Sequence, residues 1–372
     1  MNNRQRFLAV LRYEAYDRMP LVHFGFWKET IEKWNREGHI TEVDAQDVWD
    51  NSENEKKLCA RLGFDFNYSS THGSETSLFP YFEPKLLEIT ADGLHKQLNG
   101  DGAIVLVKPG VVSIPAEVGH TLVDRASWEE HYKWRLQYSD ERIYWDDLLA
   151  LKAVNDTRDY PRGFALGSLF GRIRDIMGVV GVSYLLEDDE ALYDEIINTF
   201  ADLQYKIAEK VLETGTKFDF AHYWEDICYN HGPLVNPQAF MEKVGPHYRR
   251  MTVLCRKHGI DIISLDCDGQ IDALIPTWFE NGVNTMFPIE VGTWDANIRP
   301  WREKYGKELR GVGGMNKTVF AQGYAAIDAE VERLRGLVEL GGYIPCPDHR
   351  IAPDAVFENV QYYCDKMHKV FG

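Results

Sequence analysis

The sequence has no CxxC pair: its six cysteines, Cys59, Cys228, Cys255, Cys267, Cys346 and Cys364, are scattered along 372 residues. That spacing excludes a disulfide framework or a zinc ribbon and fits reduced thiols in a cytoplasmic protein. No apolar run approaches the roughly 18 residues needed to cross a bilayer, and the opening MNNRQRFLAVLRYEAYDRMP holds only a short apolar piece broken by charge. A membrane protein is therefore not expected. Basic residues are in short supply, 41 against 58 acidic ones, for a net charge of -17. Unassisted binding to nucleic acid or to an anionic membrane is disfavoured by that balance. There is no GxxxxGK followed by Ser or Thr, which removes the standard phosphate loop, and no linker rich in Pro, Gly or Ser divides the chain.

What is present suits a globular enzyme. Hydrophobic residues make up 44% and charged residues 27%, enough apolar matter for a sizeable core. The 10 Trp, 19 Tyr and 18 Phe fit either that core or a pocket for a flat ligand. After a short amphipathic segment from Asn3 to Arg12, suited to packing against the floor of a barrel, eight β-rich runs alternate with helical stretches. The expected strands are Met19 to Phe26, Phe64 to Ser69, Gly163 to Leu169, Phe218 to Trp224, Asp261 to Asp266, Val283 to Pro288, Leu309 to Gly314 and Gly342 to Pro345. The expected helices include Glu190 to Thr214, Pro237 to His258, Ile271 to Asn281 and Ala325 to Leu340, and Gly215, Gly259, Gly282 and Gly341 supply helix stops. This alternation predicts an α/β fold, a (β/α)8 TIM barrel forming one domain over residues 1–372. One stretch breaks the rhythm: residues 86–122 carry the turn pairs Asp92-Gly93, Asn99-Gly100 and Asp101-Gly102, predicting a β-hairpin insertion between the second and third strands.

In such a barrel the chemistry gathers where strands end, so polar residues there are the candidates. The fourth strand delivers His222, Trp224, Glu225 and Asp226, and a carboxylate there can act as metal ligand or general base, or merely as a cap or ion-pair partner. The fifth ends in LDCDG, where Asp266 and Asp268, two apart, share a direction and Cys267 opposes them. The seventh leads into GMNKT, which offers Asn316 and Lys317 to a ligand. The eighth ends in PCPDHRIAP, presenting Cys346, Asp348 and His349 on a proline-stiffened loop. After the third strand, GRIRDIMG adds Arg172 and Arg174 as carboxylate anchors.

The opening helix with its DRMP, the GPLVNPQAF segment, the NKTVFAQG loop and the closing GGYIPCPDHRIAPDAVFENV resemble the uroporphyrinogen decarboxylase superfamily over nearly the whole chain. The decarboxylases of that superfamily carry an MRQAGR loop whose arginines grip the tetrapyrrole carboxylates. Here the corresponding stretch is LVHFGFWKETIEKW, so uroporphyrinogen decarboxylase activity itself is disfavoured. The resemblance then implies the cobamide-dependent methyltransferase branch, whose coenzyme M enzymes hold zinc with HxC after the fifth strand and a cysteine near the eighth. Aligned on Gly269, those ligands fall on Asp266, Asp268 and His349, a harder set that suits zinc or another divalent ion.

The resemblance thus implies methyl transfer from a small methoxylated or methylated donor to the cobalt(I) of a separate corrinoid protein, because the chain has no DxHxxG signature of its own corrinoid module. It assigns the metal to Asp266, Asp268, His349 and Glu225, with Cys346 as a further ligand, and catalytic roles to His349, Asp268, Glu225 and His222. Phe24, Trp27, Arg172, Trp224, Asn316 and Lys317 are the expected substrate-binding residues, and a homo-oligomer is compatible with the reading. Two rivals stand beside it. One is a metal-independent decarboxylase or lyase of a non-porphyrin acid, with His349 and Asp268 as acid and base and Arg172 as anchor. The other is a non-catalytic barrel that docks on a corrinoid protein.

Overall fold

The computed structural model describes residues 1–110 and 115–372. Its strands are β1 (Val22–His23), β2 (Phe66–Asn67), β3 (Thr71–His72), β4 (Lys85–Ile89), β5 (His95–Leu98), β6 (Ala103–Val107), β7 (Ala116–His120) and β8 (Gly163–Gly167). They continue with β9 (Phe220–Trp224), β10 (Cys228–Tyr229), β11 (Gly232–Pro233), β12 (Ile263–Asp266), β13 (Thr285–Phe287), β14 (Arg310–Met315) and β15 (Tyr343–Pro347). Seven of them form a parallel sheet in the order β3-β8-β9-β12-β13-β14-β15, while β1 and β2 form a separate parallel pair. Helices follow the sheet strands, as crossover connections between parallel strands require.

The hydrogen-bonded sheet falls short of the eight-stranded barrel that the periodicity predicts. The expected first strand shrinks to Val22–His23 and the expected second to Phe66–Asn67, divided from β3, which lies beyond the expected stretch. The division has a local cause: the Asn67 side chain accepts the Ser69 N–H at 2.8 Å, and this turn takes a donor that a ladder would need. The β1–β2 pair meets the β15 edge of the sheet at a parallel bridge between Phe26 and Ile351, beside the bonds from Trp27 N to Ile351 O (3.1 Å) and from Ile351 N to Gly25 O (3.0 Å). The core falls into two clusters. The smaller gathers Val22, Phe24, Phe66, Tyr68, Phe220, Ile262, Phe287, Val312, Ile344 and Cys346 with Phe7, Val10 and Leu11 of the helix Asn3–Leu11. One residue set from β1, β2, β9, β13, β14 and β15 therefore shares an interior, and the first helix, fixed by a reciprocal Asn2–Gln5 capping box, closes its floor.

The other sequence expectations can be compared element by element. Gly215, Gly259, Gly282 and Gly341 all have positive φ, between 64° and 96°, as helix stops should. The single helix expected from Pro237 to His258 is two, Pro237–Lys243 and Gly245–Lys257, because Pro246 has no N–H to continue the ladder. The expected helix from Ile271 is shorter, Ile275–Glu280. The insertion is a four-stranded antiparallel sheet, β4-β5-β6-β7, set between β3 and β8; residues 111–114 of the expected stretch lie outside the described residues.

Candidate active site at the strand ends

Parallel neighbours in register share a face, so the ladder between β9 and β12 fixes what stacks on what. Ser264 pairs with His222 and Asp266 with Trp224, one and two steps above the buried Phe220. His222 lies deep: its Nδ1 is 2.5 Å from Ser264 Oγ, its Nε2 is 4.0 Å from Asp266 Oδ2, and burial pushes its pKa down to about 4, which keeps the ring neutral. Above it, Asp266, Asp268, Asp226 and Glu290 converge from the ends of β12, β9 and β13. Burial raises the Asp266 carboxyl well above the carboxylate range, and the charges of Asp268, Asp226 and Glu290 add to the rise while Arg350 opposes it. Asp226 and Glu290 are raised by the same two causes, burial first and then Asp268. Three raised carboxyl groups crowded around Asp268 call for protons or a cation.

His349 faces this cluster from the end of β15. Its Nε2 is 3.4 Å from Asp268 Oδ2, and its ring stacks on Trp27 at 5.6 Å and 13° and packs on Phe24 at 5.4 Å. His349 Nδ1 and Asp268 Oδ1 are both buried without a hydrogen-bond partner. On the other side Trp224 lies under Arg172 and Arg174, whose guanidinium carbons are 5.1 and 5.8 Å from its ring centre. Arg172 also pairs with Asp175 at 3.1 Å. Lys317 is half-buried; burial lowers its pKa, and the charges of Asp348, Glu290, Asp268 and Asp354 hold it up.

Three residues named from the sequence are engaged elsewhere. Glu225 points away from Asp226, as adjacent residues at a strand end do. Its buried carboxylate accepts from Ser168 Oγ (3.0 Å), Leu169 N (2.8 Å), Phe170 N (2.9 Å), Gly171 N (2.9 Å) and Tyr248 OH (2.5 Å). These five bonds occupy its lone pairs and seat the start of the helix Gly171–Asp188, leaving no free oxygen for a metal or a proton transfer at the rim. Cys346 is wholly buried in the interior cluster, and burial raises its thiol well above the ordinary value, so it fills the core below the rim. Asn316 spends its side-chain oxygen capping the turn Lys317–Ala321, on Thr318 N at 3.1 Å and Thr318 Oγ1 at 2.8 Å.

The sequence reading missed Glu290 and Arg350. Glu290 follows the sixth expected strand, and its Oε2 receives Gly269 N at 2.5 Å, which ties it to the Asp268 turn; an acid two residues past a strand-end proline was the available signal. The tightest group of metal-ligand types among the described residues is elsewhere: His23, Glu55 and Cys59 place their ligand atoms within 4.8 Å of one another. It makes a poor metal centre. Gly25 N–H donates to His23 Nδ1 at 3.0 Å, so the neutral ring carries its proton on Nε2, which points at Cys59 Sγ 2.8 Å away.

No protein-family model and no curated protein matches the sequence. Among solved structures, the chain is similar to one named methyltransferase from Methanosarcina mazei. The two share 16% identity and a TM-score of 0.60, with 99% of each chain covered. This likeness shows a common fold over the whole length. A second structure, of a candidate vitamin-B12 independent methionine synthase from Listeria monocytogenes, is 12% identical over 96% of this chain and 100% of that one, with a TM-score of 0.44, too low to carry an argument.

Proposed function

We propose that the protein is a methyltransferase that moves a methyl group from a small methoxylated or methylated donor to the cobalt(I) of a corrinoid held on a separate protein. In this reading the sheet and the β1–β2 pair together act as one TIM barrel whose chemistry sits at the strand ends. The observation that carries it is the carboxylate cluster Asp226, Asp266, Asp268 and Glu290, in which burial and the charge of Asp268 raise the other three, facing a histidine with a free, buried nitrogen. Oxygen-rich donors with one imidazole fit a divalent metal, zinc among them, and Asp266, Asp268, Glu290 and His349 are the residues that would hold it. Such an ion supplies Lewis-acid polarisation of the oxygen that leaves when the methyl group departs.

The chain's own residues then have separable tasks. Phe24, Trp27 and Trp224 wall the donor and exclude water, and His222, neutral and hydrogen-bonded to Ser264, supports Asp266 from below. Lys317, with its ammonium among Asp348, Glu290 and Asp268, offers a hydrogen bond to the departing oxygen. The likeness in fold to a protein named methyltransferase supports this reading. So does the resemblance of the closing GGYIPCPDHRIAPDAVFENV.

The test combines metal analysis with transfer. Protein purified without chelator is expected to carry about one divalent ion and to methylate a cobalt(I) corrinoid protein from methoxylated donors. Asp268→Ala and His349→Ala are expected to lose both. Metal-free protein that gains no activity on supply of zinc, cobalt or manganese would remove the metal from the proposal. A second reading, decarboxylation of a non-porphyrin acid, draws support from Arg172 lying over Trp224 beside Asp266. Release of carbon dioxide from candidate acids with no corrinoid protein present would select it.

A further inference from the structure

The loop that bears His349 is held by a residue 300 positions away in sequence. Arg350 donates Nη1 to Asp50 Oδ1 at 3.0 Å and Nη2 to Asp50 Oδ2 at 2.5 Å, a forked pair that fixes orientation as well as charge. Asp50 is itself anchored, since its Oδ1 accepts Asn67 Nδ2 at 3.0 Å, and the same nitrogen reaches Glu55 Oε1 at 2.6 Å. The guanidinium lies over Phe24 at 5.7 Å, and Phe24 and Trp27 flank the His349 ring.

Gly25 is the pivot. It sits at φ 91°, its carbonyl accepts Ile351 N, and a Cβ at this position would meet Arg350 Nη1 at 2.3 Å and Asp50 Oδ1 at 2.6 Å. The ion pair therefore passes directly over the backbone that carries Trp27. Loops from residue 23 to 27, around Asp50, and from 348 to 351 are locked into one unit by it.

We propose that Asp50 is a positioning residue for the candidate site: through Arg350 it sets the place of the His349 ring between Trp27 and Phe24. The proposal rests on the reading of the rim as a metal-binding active site, and it makes Asp50 the outer support of His349. Outer-shell partners of this kind change metal affinity by roughly 10- to 100-fold when removed.

The experiment uses the full chain with histidine labelled for NMR, His349→Gln to assign the His349 ring signal, and zinc alone as the titrant. In Asp50→Asn the His349 ring proton signals are expected to move out of the Trp27 ring-current position, and zinc affinity to fall about 10- to 100-fold. Gly25→Ala, which disrupts the clasp without changing charge, should move the same signals the same way, and Arg350→Lys, which keeps the charge and loses the fork, should move them part of the way. An unmoved His349 signal in a folded Asp50→Asn protein overturns the proposal, and so does a moved signal with unchanged zinc affinity. Should the parent protein bind no zinc while the signal still moves in both variants, the positioning role stands and the metal reading falls.

Discussion

The two ends of the parallel sheet treat their aspartates in opposite ways. At the end where strands begin, each acid has a guanidinium: Arg18 meets Asp65 at 2.6 Å, Arg12 meets Asp261 at 2.7 Å, and Arg4 and Arg158 meet Asp219 at 2.7 and 2.6 Å. At the end where strands finish, burial and the charge of Asp268 raise Asp226, Asp266 and Glu290, and the nearby arginines are shared with other acids, Arg174 with Asp175 and Arg350 with Asp50. The residue type is the same. Compensation makes the end where strands begin, the floor, a structural joint, and the end where strands finish, the rim, lacks that compensation.

The sharpest way to break this comparison is to remove one partner of a buried floor pair. Asp219→Asn leaves Arg158, whose side chain is 0% exposed, without its counter-charge, and it is expected to cost about 3 to 5 kcal/mol in urea unfolding. Glu225→Ala tests the one rim acid that is fully bonded. With five donors stranded it should cost a similar ~3 kcal/mol or more, and a loss below about 1 kcal/mol would return Glu225 to the candidate ligands.

A smaller effect is expected at Glu55, where burial holds the carboxyl up to about 7 against 4.5 for a free one. The folded state then binds this proton more tightly than the unfolded chain. The group's contribution is full below about pH 4.5 and is lost as pH rises through about 7. Glu55→Gln should remove that loss, raising stability at pH 8 by up to ~3 kcal/mol while leaving pH 4 nearly unchanged in thermal unfolding at the two values. The smallest effect has the opposite sign to the floor. In metal-free protein Asp266→Asn relieves repulsion and should stabilise by about 1 kcal/mol, as substitutions at strained functional sites do, and a clear loss of stability would show that the rim is compensated after all.

Much of this could be read along the chain. The acids at the ends of the expected fourth and fifth strands, the histidine of PCPDHRIAP and the four glycine stops lie where periodicity puts them, because those signals are local: two-residue alternation, a positive φ, a turn. The early end of β2 and the separate strand β3 were not legible, since the break depends on one asparagine side chain bonding its own turn. Nor was the separation of Glu225 from Asp226. The sequence shows two neighbouring carboxylates, and only the packed helix Gly171–Asp188 with Tyr248 reveals that one of them is fully used.

The sequence by itself determined the alternation of strands and helices, the hairpin insertion and most of the acids available to a site, because each follows from patterns a few residues long. Only the tertiary structure decided which acids are neutralised. Arg4 and Asp219 are 215 residues apart, and Asp50 and Arg350 are 300 apart. Whether a carboxylate acts as joint or ligand depends on what converges on it, and convergence is a property of the folded chain.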